Sequence, residues 1–266
     1  LLTVDRKADR VLMSGLNSPR VLGIVTARGG SKSIPAKNLA LLGGATLLAH
    51  TAAAALAARS LARVVLSTDD PAIAQVGREL GLDVPFMRPA ELAQDATPTL
   101  PVLQDVVRKL AAIGESYDAI FTLQPTNPLR LSSDIDGAVS LLAETGADSV
   151  IGFTPVGDRH PARMKCLDGV GRVLNPPFAE AFEGQPRQQL PSFYLRDGSV
   201  YLTRRDVLMD GHSIQGADCR AWIIPPQRAC NIDEPLDLYL CEQLLKLGPG
   251  RFPGFPAGAA HLAESI

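Results

Sequence analysis

The chain has 266 residues, 46% of them apolar and 20% charged, and a formal net charge of −2. That is the make-up of a globular chain long enough to bury a sizeable core without disulfides. It excludes a polybasic nucleic-acid binder, and no apolar run approaches the roughly 18 residues of a membrane-spanning helix.

Residues 1–18 lack the long apolar core of a signal peptide and read as a flexible leader. The run RVLGIVTA (20–27) is continuously apolar, which predicts a strand buried on both faces. A basic loop, ARGGSKSIPAKN, follows it. TLLAHTAAAALAARS (46–60) is helix-forming throughout, and RVVLST (63–68) is a second strand. Asp70-Pro71 supplies an N-cap with proline in the first turn of the next helix, which Gly81 ends. DVPFM (83–87) reads as a short strand, TLPVLQDVVRKLAAI (99–113) as a helix and DAIFTLQ (118–124) as another buried strand. Ser133 and Asp136 suggest a capping-box start to the helix DIDGAVSLLAETG, and DSVIGFT (148–154) is again a strand. The pattern breaks over 155–197, where prolines, glycines and charges dominate, then resumes with SVYLTR, CRAWIIP and a last helix at 235–247. Residues 248–266, rich in Gly, Pro and Ala, read as a tail. Alternating strands and helices predict an α/β domain over 19–247, its mostly parallel sheet covered by helices on both faces, with 155–197 as an irregular insertion.

Ligands of open α/β sheets bind beyond the carboxyl ends of the strands. The loop after the first strand lies there. Gly29 and Gly30 allow close backbone approach, and Arg28, Lys32 and Lys37 supply charge, a combination suited to a polyphosphate. The loop is not a Walker A motif, because Ser31 stands where that motif needs glycine, and it is not a G-x-G-x-x-G fingerprint. A merely solvated basic loop is the alternative. LQPTNPLR (123–130) ends a second strand, its polar residues stiffened between Pro125 and Pro128, and FMRPAELAQDATPT ends a third. Asp233 precedes the last helix, where plain capping is the simpler reading. Cys166, Cys219, Cys230 and Cys241 form no C-x-x-C pair, which disfavours a zinc site and a disulfide framework and suits a reducing cytoplasm. His50 and Trp222 read as core residues, Cys230 as a buried structural thiol, and His160 is left open between loop structure and function.

Taken in order, ARGGSKSIPAKN, VVLSTDD, RPAELAQDATPT, LQPTNPLR, PRQQLP, DGSVYL and NIDEPLDL resemble the acylneuraminate cytidylyltransferase family over roughly residues 20–246. The resemblance implies a Rossmann-like nucleotidyltransferase fold and the coupling of CTP to an acidic nine-carbon sugar, giving a CMP-sugar and pyrophosphate, with Mg²⁺ as cofactor. It carries Arg28, Gly29, Gly30, Ser31, Lys32, Lys37, Asn38, Arg88, Thr99 and Gln124 into CTP binding, with Arg28, Lys32, Lys37 and Asp233 in catalysis. On the sugar side it implies Gln124, Arg187, Gln188, Gln189 and Tyr201, and Arg163 or Arg187 as partner of the sugar carboxylate. It also implies a homodimer in which the 155–197 insertion crosses to the neighbouring subunit, and a cytoplasmic location.

Two departures bear on chemistry. Family members studied in most detail carry D-x-D where this chain has Asn231-Ile232-Asp233, which leaves Asp233 as the charged metal ligand and Asn231 as a neutral one or a sugar contact. The stretch GHSIQGADC (211–219) lacks the paired aromatics that some members set against the N-acyl group. Legionaminic, pseudaminic or KDO-like acids are therefore alternative substrates, and a nucleotide-binding homologue without turnover is the non-enzymatic alternative.

Overall fold

The computed structural model describes residues 18–247; the leader, save for Ser18, and the tail lie outside the described residues. The strands are β1 (Val21–Thr26), β2 (Leu41–Leu42), β3 (Ala45–Thr46), β4 (Leu61–Ser67), β5 (Ala119–Leu123), β6 (Ser149–Pro155), β7 (Cys166–Leu167), β8 (Val173–Leu174), β9 (Tyr194–Arg204) and β10 (Cys219–Ile223). Six of them form one sheet in the order β10-β6-β9-β5-β1-β4. β1 runs parallel to β4 and β5, and β6 to β10, whereas β9 is antiparallel to both β5 and β6. The sheet is mostly parallel, as expected. The antiparallel wedge at its centre is not visible in any one strand's composition.

The helices are α1 (Leu47–Ala57), α2 (Pro71–Glu79), α3 (Thr99–Ala112), α4 (Ser132–Thr145), α5 (Arg205–Met209) and α6 (Pro235–Leu247). Side chains alternate across a strand, so β1 feeds two cores at once. Val21 and Val25 pack with residues of α1, α2 and α4, while Leu22 and Ile24 pack with residues of α3 and α5. That double burial explains the unbroken apolar run. A third cluster joins Ile34 of the basic loop, Leu129, Ile232 and Cys241 of α6.

Local signals hold where they are purely local. Thr46 caps α1 by accepting from the Ala49 amide at 3.1 Å, and Asp70 caps α2 by accepting from Ala72 and Ile73 at 2.7 and 3.2 Å. Two expectations are corrected. DVPFM is not a strand: Asp83 alone bridges Val65, and Pro85 has no N–H with which to continue the ladder. The start of α4 uses Asp134 rather than Ser133 and Asp136. The Asp134 carboxylate accepts from the Leu131 amide at 2.9 Å, while Asp136 reaches across to the Arg59 and Ser60 amides at 3.0 and 2.9 Å.

His50 is buried, with its Nε2 2.8 Å from the Leu42 carbonyl oxygen, and Cys230 and Cys241 are buried thiols. Trp222 is half-buried over Gly137, where a Cβ would fall 2.0 Å from its ring. The 155–197 segment becomes an arm carrying the β7–β8 hairpin and two short 3₁₀ turns, Pro161–Arg163 and Arg187–Gln189. His160 is structural in this chain: its Nδ1 accepts from the Ala162 amide at 3.1 Å, and its Nε2 lies 2.9 Å from the Pro191 carbonyl oxygen.

Candidate active site

The carboxyl ends of β1 and β5, with Arg88 at the end of β4, open into a cavity of about 580 Å³. Arg28, Gly30, Ser31, Lys32, Lys37, Asn38, Arg88, Thr99, Gln124, Asn231 and Asp233 all line it. The basic loop, the strand-end polar segments and the residues before α6, scattered over some 200 positions of sequence, thus meet at one place.

Each is held by an identifiable contact. Asn38 donates to the Arg28 carbonyl at 2.9 Å, closing the basic loop on itself. Just before Lys37, Ala36 takes a left-handed backbone at φ 47°, a conformation that L-residues other than glycine adopt at some strain. The Lys37 ammonium, only 15% exposed, donates to the Ile232 carbonyl at 3.1 Å and to Asp233 Oδ1 at 3.0 Å. Arg88 is buried and donates to the Ser67 carbonyl and hydroxyl at 2.7 and 3.1 Å, so its guanidinium is fixed at the end of β4. Burial lowers its pKa. The first turn of α3 has no side-chain cap and borders the cavity at Thr99 and Val102, adding the partial positive charge of a helix N-terminus.

The LQPTNPLR segment forms the floor. Thr126 accepts from the Ile232 amide at 2.8 Å, and Asn127 donates to the Cys230 carbonyl at 3.2 Å. Behind them Arg130 is fully buried and donates to the carbonyls of Ser199 at 2.5 Å and Gln124 at 3.1 Å. Desolvation lowers its pKa to about 10. The pairing of β6 with β9 shifts register between Ile151 and Gly152, which sets Gly198 against Asn127, where any Cβ would lie 2.4 Å from the amide oxygen. Asp197-Gly198 of β9 and the floor are therefore one packed unit.

Gly29 departs from expectation. Its amide donates to Asp69 Oδ1 at 3.0 Å, and a Cβ on it would fall 2.6 Å from Asp70 Oδ2, so this glycine serves close packing against the end of β4 and only Gly30 opens on the cavity. Of the expected sugar-side residues only Gln124 lines the cavity; the others are not brought in. Arg187 lines a separate hollow of about 130 Å³ and pairs with Asp158 at 3.3 Å, Arg163 donates to the Gln185 carbonyl at 3.5 Å, and Gln188 and Gln189 are exposed on their turn. Tyr201 lies on β9, 6.0 Å from the Arg196 guanidinium. Asp95, in the RPAELAQDATPT segment but without an expected role, lines the cavity and pairs with both Arg28 and Lys32. An acid standing among strand-end polar residues was the only sequence signal for it.

Residues 22–205 match the family model described as cytidylyltransferase. The chain belongs to the cytidylyltransferase family. It is 30% identical over 229 residues to the CMP-N,N'-diacetyllegionaminic acid synthase of Legionella pneumophila, covering 86% of this chain and 97% of that protein. It is also 30% identical over 233 residues to N-acylneuraminate cytidylyltransferase A of Danio rerio, covering 87% of this chain and 52% of that one. Among solved structures, CMP-2-keto-3-deoxy-manno-octonic acid synthetase complexed with CTP superposes with a TM-score of 0.64 at 17% identity over 86% of this chain and 99% of that chain. That likeness establishes the Rossmann-like cytidylyltransferase fold. Among the described residues, no helix is long and apolar enough to cross a membrane.

Proposed function

We propose that this cytidylyltransferase couples CTP to the anomeric hydroxyl of an acidic nine-carbon sugar of the N-acylneuraminate type, releasing pyrophosphate. The observation that carries the reading is the convergence of Arg28, Lys32, Lys37 and Arg88 on one cavity at the strands' carboxyl ends. In-line attack of a hydroxyl on the α-phosphorus asks mainly for positioning and charge neutralisation. Arg28, Lys32 and Lys37 neutralise the triphosphate and the departing pyrophosphate. Ser31, Asn38, Arg88, Thr99 and Gln124 line the walls that hold the nucleotide, Gln124 also facing the sugar.

The donor set suits a divalent cation shared with the nucleotide. Asp233 offers two carboxylate oxygens on an exposed side chain, engaged by Lys37 and by the Asn231 amide, and turning that amide over presents its oxygen instead. Among the described residues no group of three or more His, Cys, Asp or Glu is placed to hold a metal, so phosphates and water would complete the shell. These hard ligands fit Mg²⁺, which when bound polarises the α-phosphate and lowers the pKa of the attacking hydroxyl.

The arm supplies the rest of the reading. Leu167, Val173, Leu174, Phe178, Phe182 and Phe193 are each between 43% and 70% exposed, an apolar surface of the kind that marks an interface. A homodimer in which each arm reaches its partner would cover it and would bring Arg163, Arg187, Gln188 and Gln189 to the neighbour's cavity, with an arginine for the sugar carboxylate. On this reading residues 19–247 act as one catalytic domain with 155–197 as its dimer and sugar element. Four free thiols support a reducing, cytoplasmic setting.

The test is pyrophosphate release with CTP and Mg²⁺ against N-acetylneuraminic, N,N'-diacetyllegionaminic, pseudaminic and KDO acids in parallel. Release with a nine-carbon acid supports the proposal, and Lys37→Met should lower kcat/KM by about 10²–10³. The second reading, the legionaminic acid, is favoured by the name of the Legionella relative. CTP binding without release for any acid would sink the enzymatic reading.

A further inference from the structure

Two cations of the cavity, half-buried Arg28 and exposed Lys32, share one carboxylate. Asp95 Oδ1 lies 2.5 Å from Arg28 Nη1, and Asp95 Oδ2 lies 2.6 Å from Lys32 Nζ. Asp95 belongs to the segment joining the 3₁₀ turn Ala90–Leu92 to α3; Gln94 and Thr97 of that segment and Leu92 of the turn also line the cavity. The segment is thus a wall facing the basic loop, and Asp95 is the point where wall and loop join.

The arrangement is that of a bound anion, one oxygen to each cation, supplied by the chain itself. It does two opposed things. It relieves the repulsion between Arg28 and Lys32 and orders a lysine side chain that is 85% exposed and otherwise has much rotamer freedom to lose. It also sets a fixed negative charge where the triphosphate would put its own, and like charges at that range disfavour each other. The two cannot both hold the same pair of cations.

We propose that Asp95 is a positioning residue for the triphosphate: it holds Arg28 and Lys32 in place in the empty cavity, gives them up to phosphate oxygens when the nucleotide enters, and takes them back as pyrophosphate leaves. The role rests on the triphosphate reading of the cavity. Lys32 first and Arg28 second hold the Asp95 carboxyl below the usual aspartate range, so it is charged wherever the enzyme would work. Nucleotide affinity is thereby tempered in favour of product release, and the 93–98 wall is untethered whenever phosphate is bound.

The measurement is binding of inorganic pyrophosphate and of CTP by titration calorimetry, at low and high salt, to wild type, Asp95→Asn, Asp95→Glu, Lys32→Gln and the Asp95→Asn/Lys32→Gln double variant. Asp95→Asn should bind both ligands about three- to tenfold more tightly than wild type, the size expected when exposed ion pairs stop competing. The gain should shrink at high salt and in the Lys32→Gln background, and Asp95→Glu should stay near wild type. In steady state the KM for CTP should fall while kcat does not rise. Unchanged or weaker binding by Asp95→Asn, with wild type binding normally, overturns the role of Asp95 alone. If wild type binds neither ligand, the triphosphate reading fails and the role of Asp95 with it.

Discussion

The nucleotide cavity and the 155–197 arm are built on different terms. Three walls of the cavity are held by contacts within one chain: the basic loop through Asn38 and Ile34, the floor through Asn127 and Arg130, the segment before α6 through Ile232. The arm has a two-residue hairpin, short turns and large apolar side chains facing outward. One region is closed by contacts within the chain, and the other leaves large apolar side chains uncovered, which the proposed homodimer would bury. The cavity should therefore be sensitive to what lies behind it, and the arm to what lies beside it.

The sharpest way to break that contrast is from behind. Arg228 and Asp134 form a buried ion pair, with Arg228 Nη2 3.0 Å from Asp134 Oδ1, and Asp134 also accepts from Trp222 Nε1 at 3.2 Å. The pair fastens the start of α4 to the segment that leads to Asn231 and Asp233. Arg228→Met strands a buried carboxylate and should cost about 3–5 kcal/mol of unfolding free energy by urea titration. Adding Asp134→Leu should recover only part of that loss, because it also removes the acceptor of the Leu131 amide and of Trp222 Nε1. If the single variant were as stable as wild type, the cavity would not depend on this support.

The same contrast separates what could be read in the sequence from what could not. β1 and β5 were legible because burial on both faces leaves an unbroken apolar run, and the cap of α2 because Asp70 and Pro71 act within one turn. The position of β9 between β5 and β6 was not, since strand order is set by packing between distant segments. Asp134 and Asp136 sit two residues apart in a helix start, and only the fold decides which one caps and which one reaches α1's exit at Arg59 and Ser60. Most residues expected to hold CTP do line one cavity, because strand ends and charge mark them jointly. Gly29 packs against Asp70 instead of lining the cavity, and a glycine that admits a ligand and one that admits a neighbouring side chain look alike in sequence. The expected sugar residues of the arm lie away from the cavity.

From beside, the expected effect is smaller and of another kind. Phe182 is 55% exposed on the arm, so Phe182→Asp should leave the unfolding free energy of the isolated chain within about 0.5 kcal/mol. Sedimentation should show dimer converted to monomer. The KM for the sugar acid should rise at least about tenfold while CTP affinity holds, the pattern of a lost interface anchor. A monomeric wild type, or a variant that loses CTP affinity as well, would mean that the arm belongs to the cavity's own architecture.

The smallest effect sharpens the cavity's side of the comparison. His50 sits on the face of α1 that packs under β2, and burial lowers its pKa below the ordinary 6.5 despite the bond to the Leu42 carbonyl. As pH falls through that ordinary value, the unfolded chain takes up a proton that the folded chain refuses. Unfolded protein then binds more protons than native, so stability is full above about pH 6.5 and declines as pH drops toward the folded value. His50→Gln keeps a donor for Leu42 and removes the titration, so its melting temperature should vary less than that of wild type between pH 7 and pH 5. Arm variants such as Phe182→Asp leave His50 and its Leu42 partner in place and should keep the wild-type slope. A slope left unchanged by His50→Gln would mean that His50 does not carry the acid sensitivity in this range.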